Sequence, residues 1–101
     1  MQIKYSEQSI LDLESIVEYI SQDSVSRALS YAYFLKTKIE LLATSPCMGV
    51  ECKYKKVYQD CRVYIIDSYL VFYSVKEDHI IIRRVLNSAI DYTRKKIWKY
   101  L

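Results

Sequence analysis

"CRVYIIDSYLVFYSVKEDHIIIRRVL", Cys61 to Leu86, decides the fold. Val, Ile, Tyr and Phe crowd this stretch, the residue types that suit a pleated, half-buried surface. Two polar breaks divide it. Asp67-Ser68 turns between "RVYII" and "YLVFYSV", and Lys76-Glu77-Asp78 turns between that run and "HIIIRRVL". Three successive strands joined by such short turns make an antiparallel meander. In the middle run Tyr69 and Tyr73 share a face with Val71 and Val75. The last run is apolar at both parities, Ile80 and Ile82 against Ile81 and Val85. It is therefore expected to lie centrally, covered on both faces.

Upstream the periodicity changes. Gln2 to Tyr5 alternates, with Ile3 and Tyr5 on one face, and reads as a short strand. Ser6 is placed to cap a first helix that carries Ile10, Leu13, Ile16, Val17 and Ile20 at helical spacing and runs to about Ser21. Gln22-Asp23-Ser24 is a turn, with Ser24 or Asp23 capping a second helix. The second helix carries Val25, Ala28, Ala32, Leu35, Ile39 and Leu42, a narrow stripe in steps of three and four. It should end near Ala43, because Pro46 biases Ser45 away from helical angles. So short a turn predicts an antiparallel helical hairpin. Downstream, residues 89–101 suggest a short terminal helix with Tyr92, Trp98 and Tyr100. The order predicts one α+β domain over residues 1–101. A strand and a helical hairpin pack on a three- to four-stranded, mainly antiparallel sheet, and a short C-terminal helix follows.

Composition narrows the function. The chain has 101 residues, 51% apolar and 27% charged, with one Gly and one Pro, as suits a folded domain and not a disordered chain. Gly49 stands alone, so a glycine-rich phosphate loop is excluded. The net charge is only +3, but unevenly spread. Arg83, Arg84, Arg94, Lys95, Lys96 and Lys99 face a single acid, Asp91, between residues 83 and 99. Residues 6 to 23 hold Glu7, Asp12, Glu14, Glu18 and Asp23 with no Lys or Arg. A basic end suits nucleic acid, the ribosome or an acidic protein. It equally suits a solvated helix whose charges complement its own dipole.

Cys47, Cys52 and Cys61 match no zinc spacing. They read as reduced, partly buried thiols, which points to the cytosol. No signal peptide is expected, since Met1 leads directly into the strand-like start. No apolar run approaches the roughly 20 residues of a membrane span. Neither a metal nor a cofactor is expected. His79, the only histidine, follows Lys-Glu-Asp and reads as an exposed turn residue.

The arginines are the main chemical candidates. Arg62 opens one strand, and Arg83 and Arg84 lie near the end of another with opposite parities. An arginine on an apolar strand must be paired or reach solvent. Two guanidinium groups on one surface would suit a phosphate or carboxylates. Pairing with Asp60, Asp67 or Asp91 is the structural alternative. Tyr64 and Tyr92 are placed to reach a surface near them, to stack on a base or to transfer a proton.

These features together resemble the RelE/ParE superfamily of toxins from type II toxin–antitoxin modules. The carrying stretches are "ILDLESIVEYIS", "LATSPCMGVE", "CRVYIIDSYLVFYSVKEDHIIIRRVL" and the "DY" of the tail. The strand pattern "YLVFYSV…IIIRRVL" is the most specific. The resemblance implies a small cytoplasmic protein that stops growth when free. A co-encoded antitoxin silences it in a hetero-oligomer by laying a helix and an extended segment over it.

Two targets occur in the superfamily. RelE-like members cut mRNA in the ribosomal A site, and ParE-like members poison DNA gyrase. A nuclease must activate a 2′-hydroxyl and protonate a leaving oxygen. Leu70 stands where such nucleases have Arg in a "Y-R-x-x-Y" strand. Asn87, Ala89 and Ile90 replace the His or Tyr and the Arg pair of a "V-L-[H/Y]-G-R-R-D-Y" ending. For a nuclease Arg62, Arg83, Arg84 and Tyr92 are the remaining catalytic candidates. The departures favour a ParE-like, target-binding toxin. Arg62, Tyr64, Arg84, Tyr92, Arg94, Lys95, Lys96 and Trp98 are then expected to contact gyrase or antitoxin. A ribosome-dependent endoribonuclease is the alternative, and a weakened homologue that only binds antitoxin is the second.

Overall fold

The computed structural model describes residues 1–52 and 61–88. Strand β1 is Gln2–Tyr5, helix α1 Glu7–Ser21 and helix α2 Val25–Glu40, continued by a 3-10 turn over Leu41–Ala43. Strand β2 is Val50–Glu51, β3 Cys61–Ile66, β4 Tyr69–Val75 and β5 His79–Asn87. They form a five-stranded sheet in the order β1-β5-β4-β3-β2. The meander β3–β4–β5 is antiparallel, and β1 joins its far side parallel to β5. This is the expected α+β architecture, with β5 inside the sheet. The strand count exceeds the expected three to four because the two-residue β2 adds to the β3 edge. No apolar run announces a strand that short. The expected terminal helix lies outside the described residues.

Local chemistry places the helices. Ser6 is extended and its hydroxyl accepts from Ser9 N–H at 3.0 Å, capping α1. Ser24 does the same for α2, accepting from Arg27 N–H at 3.2 Å. The Asp67-Ser68 hairpin needs a left-handed residue, and Asp67 supplies it with φ 55°. Its carboxylate accepts from the Tyr31 hydroxyl at 2.9 Å, tying the turn to α2.

The core lies between the helices and one face of the sheet. Ile16, Leu35, Ile39 and Leu42 meet Ile66, Val71, Tyr73, Ile80, Ile82 and Val85. Ala28, Leu35, Ile39 and Leu42 of the expected α2 stripe are buried, but Val25 is 63% exposed. On α1 Ile16 is buried, whereas Ile10 is 46% exposed. The stripe on α1 is wider than the sheet beneath it can cover. Leu70, Phe72 and Leu86 alternate with the core-facing residues of β4 and β5. They form a second cluster with Cys52 and Cys61 on the opposite face.

Cys52 and Cys61 are joined in a disulfide, which corrects the expectation of reduced thiols; Cys47 is free and exposed. Continued by one residue, the β2–β3 register sets Cys52 across from Cys61, with Cα atoms 5.4 Å apart and Cys52 N–H bonded to Cys61 O. Spacing along the chain does not reveal that register.

Tyr73 fastens the segment between the helices and β2. Its fully buried ring sends a hydroxyl that donates to Pro46 O at 2.7 Å and accepts from Gly49 N–H at 2.8 Å. Gly49 is the residue this packing allows. A Cβ there would stand 2.6 Å from Val63 O and 2.7 Å from the Tyr73 hydroxyl. Burial pushes the Tyr73 phenol upward, partly opposed by Gly49 N–H and the nearby Arg62. Burial also raises Tyr5 and Tyr31, the latter further through Asp67.

Tyr73→Phe strands Gly49 N–H and Pro46 C=O and should lower unfolding free energy by about 1–3 kcal/mol in urea. A shift below about 0.5 kcal/mol would mean that water replaces the hydroxyl without loss. The raised tyrosines also set the sign of the alkaline response. Their contribution is whole below the unfolded value, about 10, and is lost as pH rises through the higher folded values. Urea midpoints should therefore fall from about pH 10 upward, and less steeply in Tyr73→Phe.

Candidate functional site

The arginines of the meander are held by different parts of the fold. Arg62 donates through Nη1 to Gly49 O at 2.8 Å, and its Nη2 lies 4.0 Å from Glu51 Oε1. It thus braces the same turn as Tyr73, its neighbour across the β3–β4 ladder. Arg83 donates through Nε to the hydroxyl of buried Ser74 at 3.2 Å. Arg84 makes a two-pronged contact with Asp12 of α1, Nε to Oδ2 at 2.8 Å and Nη2 to Oδ1 at 3.0 Å.

The different fates of Arg83 and Arg84 come from a bulge. Phe72 opposes Arg84 while Tyr73 opposes Ile82, so Arg83 is the extra residue on β5. Around it the backbone of β5 engages α1. Ser6 Oγ donates to Arg83 O at 2.8 Å, and Val85 N–H donates to Asp12 Oδ2 at 2.9 Å. Asp12 therefore accepts three hydrogen bonds from a nearly buried position, its side chain 13% exposed and that of Arg84 14%. Of the acids expected to pair with the arginines, Asp67 accepts from Tyr31 instead, and Asp60 and Asp91 lie outside the described residues. The sequence shows Asp12 only as one acid of an acidic helix, although a signal for its pairing exists. It lies three residues after buried Ser9 and four before Ile16, so it is an acid on the core side of α1.

Tyr64 is half-buried on β3 and packs against the core. It borders a shallow depression of about 370 Å³ with Phe34, Lys38 and Asp67. Tyr92, Arg94, Lys95, Lys96 and Trp98 lie outside the described residues. His79 bonds Asp78 at 2.7 Å, and that contact holds the Asp78 carboxyl below the usual carboxylate range. Among the described residues no group of three or more His, Cys, Asp or Glu side chains is arranged to hold a metal ion. No described helix is long and apolar enough to cross a membrane.

The larger concavity belongs to the helices. An open groove of about 640 Å³ runs between α1 and α2. Leu13, Val17, Ala32 and Leu35 give it apolar walls, with Ile10 and Tyr5 at its margin. Its charged residues are Glu14 and Glu18 from α1 and Lys36 from α2. Beside it α2 exposes Leu29 to 63% and Tyr33 to 74%. This surface answers for the surplus width of the α1 stripe: Ile10 and Val17 line a groove, and Leu13 lies between that groove and the core. A second concavity of about 420 Å³ surrounds the Asp12–Arg84 pair and is walled by Tyr19, Tyr69 and Asn87.

Residues 3–92 match the family model described as the ParE toxin of the type II toxin–antitoxin system, parDE. The chain belongs to the ParE toxin family. Among solved structures it is similar to one titled as the chromosomal ParDE TA system from P. aeruginosa. The TM-score is 0.73 at 17% identity, over 86% of this chain and 95% of that one. At that identity the likeness speaks for the ParE-type fold. No curated protein matches the chain by sequence. Family membership supports the ParE branch of the superfamily over the RelE branch.

The Asp12–Arg84 contact gives a direct test of how the helical hairpin is fixed. Asp12→Ala leaves a nearly buried guanidinium unpaired and should destabilise by about 3–5 kcal/mol in urea unfolding. A loss under about 1 kcal/mol would place the pair among idle surface contacts.

Proposed function

We propose that this protein is the toxin of a type II toxin–antitoxin module, that it acts in the cytoplasm by binding DNA gyrase, and that a cognate antitoxin neutralises it. The match to the ParE family across residues 3–92 carries the reading. The arginine contacts support it. Arg62 and Arg84, two of the candidates for a phosphate-binding surface, spend hydrogen bonds on Gly49 O and on Asp12. A guanidinium so engaged is less available to a phosphodiester in flight.

The groove between α1 and α2 supports the antitoxin half of the reading. Its apolar walls fit one face of an amphipathic helix, read through positions spaced three and four apart. Glu14 and Glu18 favour basic residues along one flank of that helix, and Lys36 favours an acid on the other. The similar solved structure is described as a ParDE TA system.

Purified protein should inhibit gyrase supercoiling and leave ribosome-bound mRNA intact. Cuts at A-site codons on induction, with gyrase unimpaired, would overturn the assignment and favour the endoribonuclease. Val17→Glu places a charge on the groove wall and should weaken antitoxin binding at least about tenfold. Circular dichroism should remain unchanged, because Val17 is only partly buried. Unaltered affinity in that variant would move the antitoxin contact elsewhere.

A further inference from the structure

The disulfide between Cys52 and Cys61 takes no part in the groove or in the arginine contacts. We propose that these two cysteines form a reversible dithiol–disulfide couple, addressed by low-molecular-weight thiols of the glutathione class, that sets how firmly residues 44–52 are held on the β2 edge of the sheet. The physiological side of this rests on the proposed function, since a cytoplasmic toxin meets a thiol pool that reduces accessible disulfides.

Location makes the couple local. The bond joins the residue after β2 to the first residue of β3. Among the described residues strand β2 pairs with β3 at Val50 opposite Val63 and Glu51 opposite Arg62, and both β2 residues are exposed. The remaining strands are held by longer ladders and by the helical core on the other face. Opening the bond therefore loosens an edge and leaves the rest of the sheet in place.

Environment makes both redox states acceptable. Cys52 and Cys61 are 4% and 3% exposed and pack with Leu70, Phe72 and Leu86. A reduced thiol is a small hydrophobe, so reduction leaves neither a charge nor a strong unsatisfied donor in that cluster. The same burial demands an opening step before a thiol can attack. The short, exposed β2 provides it, because Cys52 follows exposed Glu51 directly.

The chemistry balances with the small thiol as reductant. A thiolate attacks Cys52 Sγ when the edge opens, the S–S bond breaks, and Cys61 Sγ leaves as a thiolate that takes a proton from water. A second small thiolate attacks the mixed disulfide and releases the Cys52 thiolate, which is protonated in turn. Two small thiols become one small disulfide, and the protein gains two electrons and two protons. The reverse sequence closes the bond.

The structure also names the reporters. Cys52 N–H bonds Cys61 O at 2.9 Å, and Gly49 N–H bonds the Tyr73 hydroxyl at 2.8 Å. The experiment equilibrates the full chain in glutathione buffers from fully oxidised to fully reduced. Thiols are counted by alkylation and mass spectrometry, and amide hydrogen exchange is read in parallel. The alkylatable thiols should rise from the single Cys47 to all three cysteines within that range. Exchange at Gly49 and Cys52 should quicken at least about tenfold on reduction, while Val71 and Ile82 stay protected. Three free thiols at every ratio, or equal exchange in the two states, would overturn the proposal.

Cys52→Ser in oxidising buffer should reproduce the reduced pattern. If that variant loses its near-ultraviolet circular dichroism, Cys47→Ser carries the measurement, since it keeps the couple and removes mixed disulfides at the exposed thiol. None of these readouts involves gyrase or antitoxin. A failure of the toxin assignment would therefore show in the supercoiling assay and leave the thiol count untouched.

Discussion

Strand β1 ends at Tyr5, opposite Ile82, while β5 runs on to Asn87, and beyond that point the backbone of β5 takes partners from the start of α1. Ser6 and Asp12 are those partners. Ser6 does two jobs at one position, capping α1 through its oxygen and donating its proton to Arg83 O. Asp12, nearly two turns later, accepts from Val85 N–H and holds Arg84. A helix pinned at both points to one strand has little freedom to roll. Its orientation decides which of its apolar residues enter the core and which are left outside. Ile16 goes in, Val17 goes to the groove, and Leu13 touches both.

The two faces of the sheet carry unequal loads. The helical side holds the larger core, together with the buried hydroxyl of Tyr73 and the turn that it fastens. The opposite side has a smaller cluster around Phe72, closed by the cysteine pair at its edge. Local loosening on that side does not disturb the helical hairpin, because the helices rest on the other face. The groove and the β2 edge thus lie in separate parts of this fold.

Much of the fold was legible in the sequence. The meander, both helices, their caps and the parity of Tyr69 and Tyr73 follow from periodicity and turn chemistry, because these are local properties. What escaped was non-local. The two-residue β2 has no pattern of its own and exists because β3 offers an edge. The disulfide depends on the register between those strands. The Asp12–Arg84 contact joins residues separated by 72 positions. The candidate site divides along the same line. Arg62, Arg83 and Arg84 were visible as unusual charges on apolar strands, but their partners were not. The groove was hidden inside an apparently ordinary amphipathic stripe, where residues that look destined for the core are shared between core and surface.

The parallel pairing of β1 with β5 ties the first strand of the chain to its last described strand, and the Ser6 to Arg83 bond alone spans 77 residues. A ribosome delivers the chain from its N-terminus, so β1 waits without its partner strand until β5 is made. The helical hairpin likewise has no sheet to rest on until β4 and β5 emerge. Contacts of such long range close late and slowly, since the intervening chain must be ordered before they repay its entropy. The oriented groove therefore comes into being only after β5 has been made. A nascent chain that lacks β5 has neither an aligned α1 nor a finished sheet to present.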